Sequence, residues 1–151
     1  LANDAAKLAE KLRIFGRYRY DIASVFEVMK GKKRIAKLSY GDTTIDGDFI
    51  FILACNTIHT GKGMKMAPKA LIDDGKIDLI IVRKASKLKL LKLFPKLFTG
   101  EHIKSPLVDY VQVKNFSINT DYKSSLMIDG EIIGNSPCNV KIQAKKISVL
   151  V

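Results

Sequence analysis

Residues 49–55 read Phe-Ile-Phe-Ile-Leu-Ala-Cys, seven apolar side chains without a break. This is far short of the roughly 20 residues that a helix needs to cross a bilayer. Its length suits a strand covered on both faces. A chain holding such a strand must bring other elements over each of its sides. Ile77–Val82 is a second strand of similar character. Around these runs the apolar residues recur with a period of two: Ala36/Leu38/Tyr40, Val111/Val113, Phe116/Ile118/Thr120, Val140/Ile142 and Ile147/Val149/Val151. Gly41-Asp42 and Asp46-Gly47 mark turns, and Asp129-Gly130 between Leu126–Ile128 and Ile132-Ile133 marks a hairpin. Short strands separated by turns predict a mainly β fold, an antiparallel β-sandwich or partly closed barrel.

Two regions depart from this pattern. Ala5, Leu8, Ala9 and Leu12 follow helical spacing, with Asn3 or Asp4 as cap, and Ile22, Val25, Phe26 and Met29 line one face of a second helix. The expected division is a helical segment over 1–30 and a β-sandwich over 31–151, with the boundary at Gly31. The third helical stretch, residues 86–98, is inserted between strands. Ser86 is its expected cap, Leu90, Leu91, Phe94, Leu97 and Phe98 share one face, and Lys89, Lys92 and Lys96 the other. Pro95 should kink or divide it.

Hydrophobic residues make up 47% of the 151, which excludes a wholly disordered chain. The net charge of +11 is uneven. Residues 1–37 hold ten Lys and Arg against four Asp and Glu, and residues 62–104 hold eleven against four. Residues 38–61 hold only Asp42, Asp46 and Asp48. Basic blocks of this kind favour anionic partners: nucleotide phosphates, nucleic acid or an anionic membrane. A nucleic-acid module is the weaker reading, because aromatic and basic residues do not interleave along one strand. The apolar stripe at 86–98 fits packing on the sandwich better than membrane contact, while the basic block can still orient the protein at a charged surface.

Two cysteines, Cys55 and Cys138, make no disulfide framework and suggest a reducing, intracellular compartment. The sequence opens on Leu1 with no signal-peptide pattern, and is expected to be an excised piece of a longer protein. His59 and His102 have no partner at ligand spacing, so a zinc site is not expected.

Three small constellations could carry chemistry. Asn56–Met64 contains Gly61 and Gly63, which permit close backbone approach, yet it matches neither a Walker A loop nor a dinucleotide fingerprint. Asp73-Asp74-Gly75 gathers carboxylates and backbone carbonyls at one turn, oxygen donors that suit Mg²⁺ or Ca²⁺; an Asx turn with no ion is the commoner use. Asp129-Gly130-Glu131 holds two carboxylates together at a tight turn, where repulsion can tune one for proton transfer or both can share a metal, while solvated acids on an ordinary hairpin are the commoner case. Arg13, Arg17 and Arg19 around Gly16 form either a phosphate clamp or a solvated helix end.

In order and spacing these pieces resemble the C-terminal domain of the sphingosine, ceramide and diacylglycerol kinases. The resemblance rests on Ala9-Glu-Lys-Leu-Arg13 with Gly16 and Arg19, on Gly61-Lys-Gly-Met-Lys-Met-Ala-Pro68 followed by Asp73-Asp-Gly75, on the Leu-rich helix, and on Asp129-Gly-Glu131. Cys55-Asn-Thr-Ile-His-Thr-Gly61 is most similar to sphingoid long-chain base kinases. The resemblance implies an ATP-dependent, Mg²⁺-dependent lipid kinase whose N-terminal nucleotide-binding domain lies elsewhere in the same chain, so that this piece alone is inactive. It further implies a lipid substrate, a peripheral membrane contact and no nucleic-acid partner. By the same resemblance Arg13 and Arg19 contact ATP phosphates, Asp129 and Gly130 lie by the nucleotide, and Glu131 is the catalytic carboxylate or a nucleotide contact. Asp4 lies near the lipid head group, and Asp74 holds Mg²⁺ with the carbonyls of Leu71 and Lys76.

Overall fold

The computed structural model describes residues 35–61 and 63–147. The expected helices of 1–30 and the boundary at Gly31 lie outside them. Among the described residues eight strands follow in order: β1 (Ile35–Tyr40), β2 (Thr43–Cys55), β3 (Ile77–Arg83), β4 (Val108–Val113), β5 (Asn115–Asn119), β6 (Ser125–Ile128), β7 (Glu131–Asn135) and β8 (Cys138–Lys141). Helices α1 (Lys87–Leu93) and α2 (Lys96–Thr99) and a 3-10 turn (Glu101–Lys104) stand between β3 and β4. Six strands form an antiparallel sheet in the order β4-β3-β2-β1-β5-β8, and β6 and β7 form a separate hairpin.

The length of β2 makes the sandwich. Its first half, Thr43–Asp48, pairs with β1, and its second half, Phe49–Cys55, pairs with β3. The register shifts between Phe49 and Phe51. Phe49 accordingly enters one core, while Ile50 and Phe51 both turn to the other. A bulge bends a strand and raises its twist, so the sheet folds over on itself. Ala36 and Leu38 of β1 and Phe116 of β5 then pack against Ile77, Leu79 and Ile81 of β3 in one inner core. On the outer face of β3, Ile80 and Val82 meet Ala67, Ala70, Leu90, Leu93 and Val108. Each fully buried Leu or Ile here contributes about 1.5–3 kcal/mol relative to exposure.

The mainly β sandwich agrees with the sequence pattern, and several local expectations need correction. The run at 49–55 is fully buried only at Phe49 and Ile50, and Ala54 is exposed; β3 is the strand covered on both faces. Asp46-Gly47 is no turn: it continues β2 opposite Lys37 and Ala36. Ile147 is 85% exposed and belongs to no strand. On the helix, Leu93 takes the buried place expected for Leu91, which is 43% exposed. Ser86 holds the cap position without a side-chain capping bond. Pro95 divides α1 from α2 as its missing N–H requires.

Candidate functional site

Beyond β2, the glycine-containing segment becomes a strap across the outer face of the sheet. The Thr60 N–H donates to Met64 O at 2.9 Å, and that of Gly63 to Gly61 O at 3.0 Å. This tight reversal is possible because Gly61 and Gly63 take φ of 61° and 90°. Met66 and Ala67 are buried next. The strap is fastened to the helical layer by three devices. Lys65 N–H donates to Leu97 O at 2.8 Å. His102, 1% exposed, places Nε2 3.0 Å from Met66 O. Gly100, with φ 79°, lies so close to Pro68 that a Cβ there would stand 2.9 Å from the proline Cβ. Burial holds the His102 imidazole below its usual 6.5, against the opposing pull of the Met66 and Lys96 carbonyls.

A fourth fastening was not anticipated. Asp78 of β3 is fully buried beneath the strap. Its Oδ1 accepts from the Tyr110 hydroxyl and, at 3.0 Å, from Gln112 Nε2. The Tyr110 oxygen in turn accepts the Lys69 N–H at 3.2 Å, and Gln112 Nε2 reaches Lys69 O at 3.3 Å. Asp78 Oδ2 is enclosed with no hydrogen-bond partner among the described residues. Burial, together with the neighbouring Asp78, pushes the Tyr110 hydroxyl far above its usual 10.0. The sequence signal was one acid in an otherwise apolar strand run. Cys55 faces Asp78 across the β2–β3 ladder, and burial raises its thiol against the opposing pull of a hydrogen bond with Thr60. Burial likewise raises the Cys138 thiol.

The strap leads into the Asp73-Asp74-Gly75 turn. Asp74 Oδ1 accepts the Lys76 N–H at 2.9 Å, an Asx turn, and Gly75 takes φ 66°. Among the described residues no group of three or more His, Cys, Asp or Glu side chains stands together as a metal site, so an ion here would rest on the Asp74 carboxylate and on backbone carbonyls of the turn. That chemistry fits a hard cation.

The third constellation sits at the tip of the β6–β7 hairpin. Asp129 and Gly130 take φ of 50° and 91°, the two positive values of a type I′ turn. Glu131 follows opposite Ile128. At the base, Ser136 Oγ lies 2.6 Å from Thr120 Oγ1 and accepts the Ser124 N–H at 3.1 Å. Asp129 and Glu131 are exposed, beside Met127 and Ile132 at 72% and 73% exposure. Among the described residues no hydrogen bond or ion pair joins this tip to the Asp74 turn. Asp4, Arg13 and Arg19 lie outside the described residues.

The family described as YegS C-terminal NAD kinase beta sandwich-like domain matches residues 2–151. A diacylglycerol kinase of Staphylococcus epidermidis is 32% identical over 127 residues, covering 83% of this chain and 40% of that protein. Sphingosine kinase B of Dictyostelium discoideum is 35% identical over 101 residues, covering 64% of this chain and 13% of that protein. The chain therefore spans well under half the length of these relatives. Among solved structures, a diacylglycerol kinase of Bacillus anthracis superposes with a TM-score of 0.59 at 14% identity, over 80% of this chain and 43% of that one. Another structure from the same organism gives 0.67 at 20%, over 83% and 43%. At these identities the structures speak for the fold alone.

Proposed function

Because the chain belongs to the YegS C-terminal NAD kinase β-sandwich-like family, we propose that it is the lipid-binding C-terminal part of an ATP-dependent lipid kinase. Its partner is a nucleotide-binding domain elsewhere in the same protein. The observation that carries this reading is the hairpin tip: it presents Asp129 and Glu131 to solvent, unengaged by any described residue of their own domain. Carboxylates so placed are available to a facing domain and its nucleotide.

Phosphoryl transfer needs mostly positioning and charge neutralisation. In this reading Arg13 and Arg19 fork onto ATP phosphates, and Asp129, Gly130 and Glu131 close the nucleotide side. Glu131 either takes the acceptor hydroxyl proton or orients the nucleotide, and Asp4 approaches the lipid head group. Asp74, with the carbonyls of Leu71 and Lys76, would hold Mg²⁺, which supplies charge at the turn that ends the strap. The acceptor we infer is a sphingoid long-chain base, supported by the Cys55–Gly61 stretch; diacylglycerol is the second reading, favoured by the Staphylococcus relative. No helix among the described residues is long and apolar enough to cross a membrane. In this reading the lipid is met by peripheral contact.

The test is transfer of labelled γ-phosphate from ATP by the full-length protein to sphingosine and to diacylglycerol in detergent micelles. Labelled lipid is expected with the full-length protein and none with residues 1–151 alone. No labelled lipid from the full-length protein refutes the kinase reading, and labelling of diacylglycerol only refutes the sphingoid assignment.

A further inference from the structure

Helix α1 carries two apolar stripes where its packing uses one. Leu90, Leu93, Phe94 and Leu97 are buried against the sheet and strap. Residues advance by about 100° around a helix axis. Within α1, Leu88 and Leu91 therefore fall on the side opposite Leu90 and Leu93, away from the core. Leu88 is 73% exposed and Leu91 43%. Lys89, Lys92 and Lys96 run along one flank of this outer stripe, all exposed. Lys65 of the strap, whose N–H holds Leu97 O, is exposed next to α2.

No Asp or Glu occurs between Asp78 and Glu101. The ion pairs among the described residues use Lys37, Arg83, Lys84 and Lys104, and leave Lys65, Lys89, Lys92 and Lys96 without an acidic partner. Exposed leucines flanked by unneutralised lysines are a poor design for a surface that meets only water. They match an anionic bilayer, where the leucines enter the headgroup boundary and the lysines meet lipid phosphates and carboxylates. The complementarity is both apolar and electrostatic, and the stripe lies on a helix held rigidly by its other face.

We propose that the outer face of α1 and α2, formed by Leu88, Leu91, Lys89, Lys92 and Lys96 with Lys65 beside it, docks the protein on anionic membrane surfaces. This deepens the lipid-kinase reading by giving it a surface of approach. Vesicle binding is measured without ATP, so the docking face and the kinase assignment fail separately.

The experiment is sedimentation of the full-length protein with vesicles of phosphatidylcholine alone and of phosphatidylcholine with phosphatidylserine. The wild type is expected to sediment with the second and hardly with the first. Each lysine near such a surface strengthens binding by roughly fivefold, so Lys89→Glu/Lys92→Glu should lose well over tenfold. Leu88→Ser/Leu91→Ser should lose about tenfold or more, with an unchanged Tm. Equal binding to both vesicle types, or full binding by both double variants, overturns the proposal. A fall in Tm for the leucine variant also overturns it, since the stripe would then be covered by another part of the protein.

Discussion

The Tyr110 hydroxyl donates to the buried carboxylate of Asp78 while accepting the backbone N–H of Lys69. One oxygen thus joins β3, β4 and the strap. On the far edge of the same strap, His102 holds the Met66 carbonyl, and Gly100 admits Pro68. The segment from Gly61 to Pro68 carries the most specific part of the resemblance. In the structure residues 63–68 form a pinned cover over the sheet, leading the chain toward the Asp74 turn.

Tyr110→Phe removes the donor to Asp78 and the acceptor for Lys69. Unmade hydrogen bonds at buried groups cost about 1–3 kcal/mol, and urea unfolding should show a loss in that range. The native hydroxyl also titrates far above 10.0, so it stays protonated where the unfolded chain ionises. The stability it contributes is full below pH 10.0 and declines as pH rises toward the native pKa. Tyr110→Phe should lose that alkaline decline relative to wild type.

His102 predicts the opposite pH slope. Its native pKa lies below 6.5, so the unfolded chain takes up the proton first as the solution is acidified. Stability due to this group is full above pH 6.5 and is lost below it, by up to about 1.4 kcal/mol per pH unit. Unfolding measured from pH 7 downward should show the loss, and His102→Gln should flatten the profile while lowering stability at pH 7.

The strands and their turns were largely legible because period-two alternation and Asp-Gly pairs are local signals. The turn at Gly41-Asp42 and the β6–β7 hairpin follow from such signals, and the division of the helices follows from Pro95 itself. Asp46-Gly47 misled because the long β2 runs straight through it, and ladder bonds to β1 overrode a weak turn signal. Tertiary covering is not written locally. Burial of β3 on both faces depends on a fold-over at Phe49/Phe51 and on a strap arriving from elsewhere. For the same reason the roles of Asp78 and His102 were not legible, since their partners are 32 and 36 residues away.

Gly100→Ala tests the fit of strap to helix. The new Cβ would meet Pro68 at 2.9 Å, and φ 79° disfavours any L side chain. The cost should be about 1–3 kcal/mol. It should appear as faster hydrogen exchange at the Lys65 amide, whose acceptor is Leu97 O in the adjoining helix.

Glu131→Ala in the full-length protein should reduce kcat/KM by about 10²–10⁴-fold if the carboxylate handles a proton in transfer. The side chain is exposed and makes no ion pair among the described residues, so Tm should be nearly unchanged. Kinetics like those of the wild type would remove Glu131 from the site.

Asp74→Asn separates the turn from the ion. An Asn side-chain carbonyl can still accept the Lys76 N–H that Asp74 Oδ1 now holds at 2.9 Å, so the Asx turn should survive. What the substitution removes is the charge. A ligand that binds only the folded state stabilises it by about RT ln(1 + [L]/Kd). If Asp74 holds Mg²⁺, the wild-type Tm should climb with added Mg²⁺ and the Asp74→Asn Tm should not, while the two agree closely in EDTA. Parallel responses to Mg²⁺ in both proteins would leave Asp74 a turn residue alone. A large Tm difference already present in EDTA would instead assign the carboxylate to the stability of the turn.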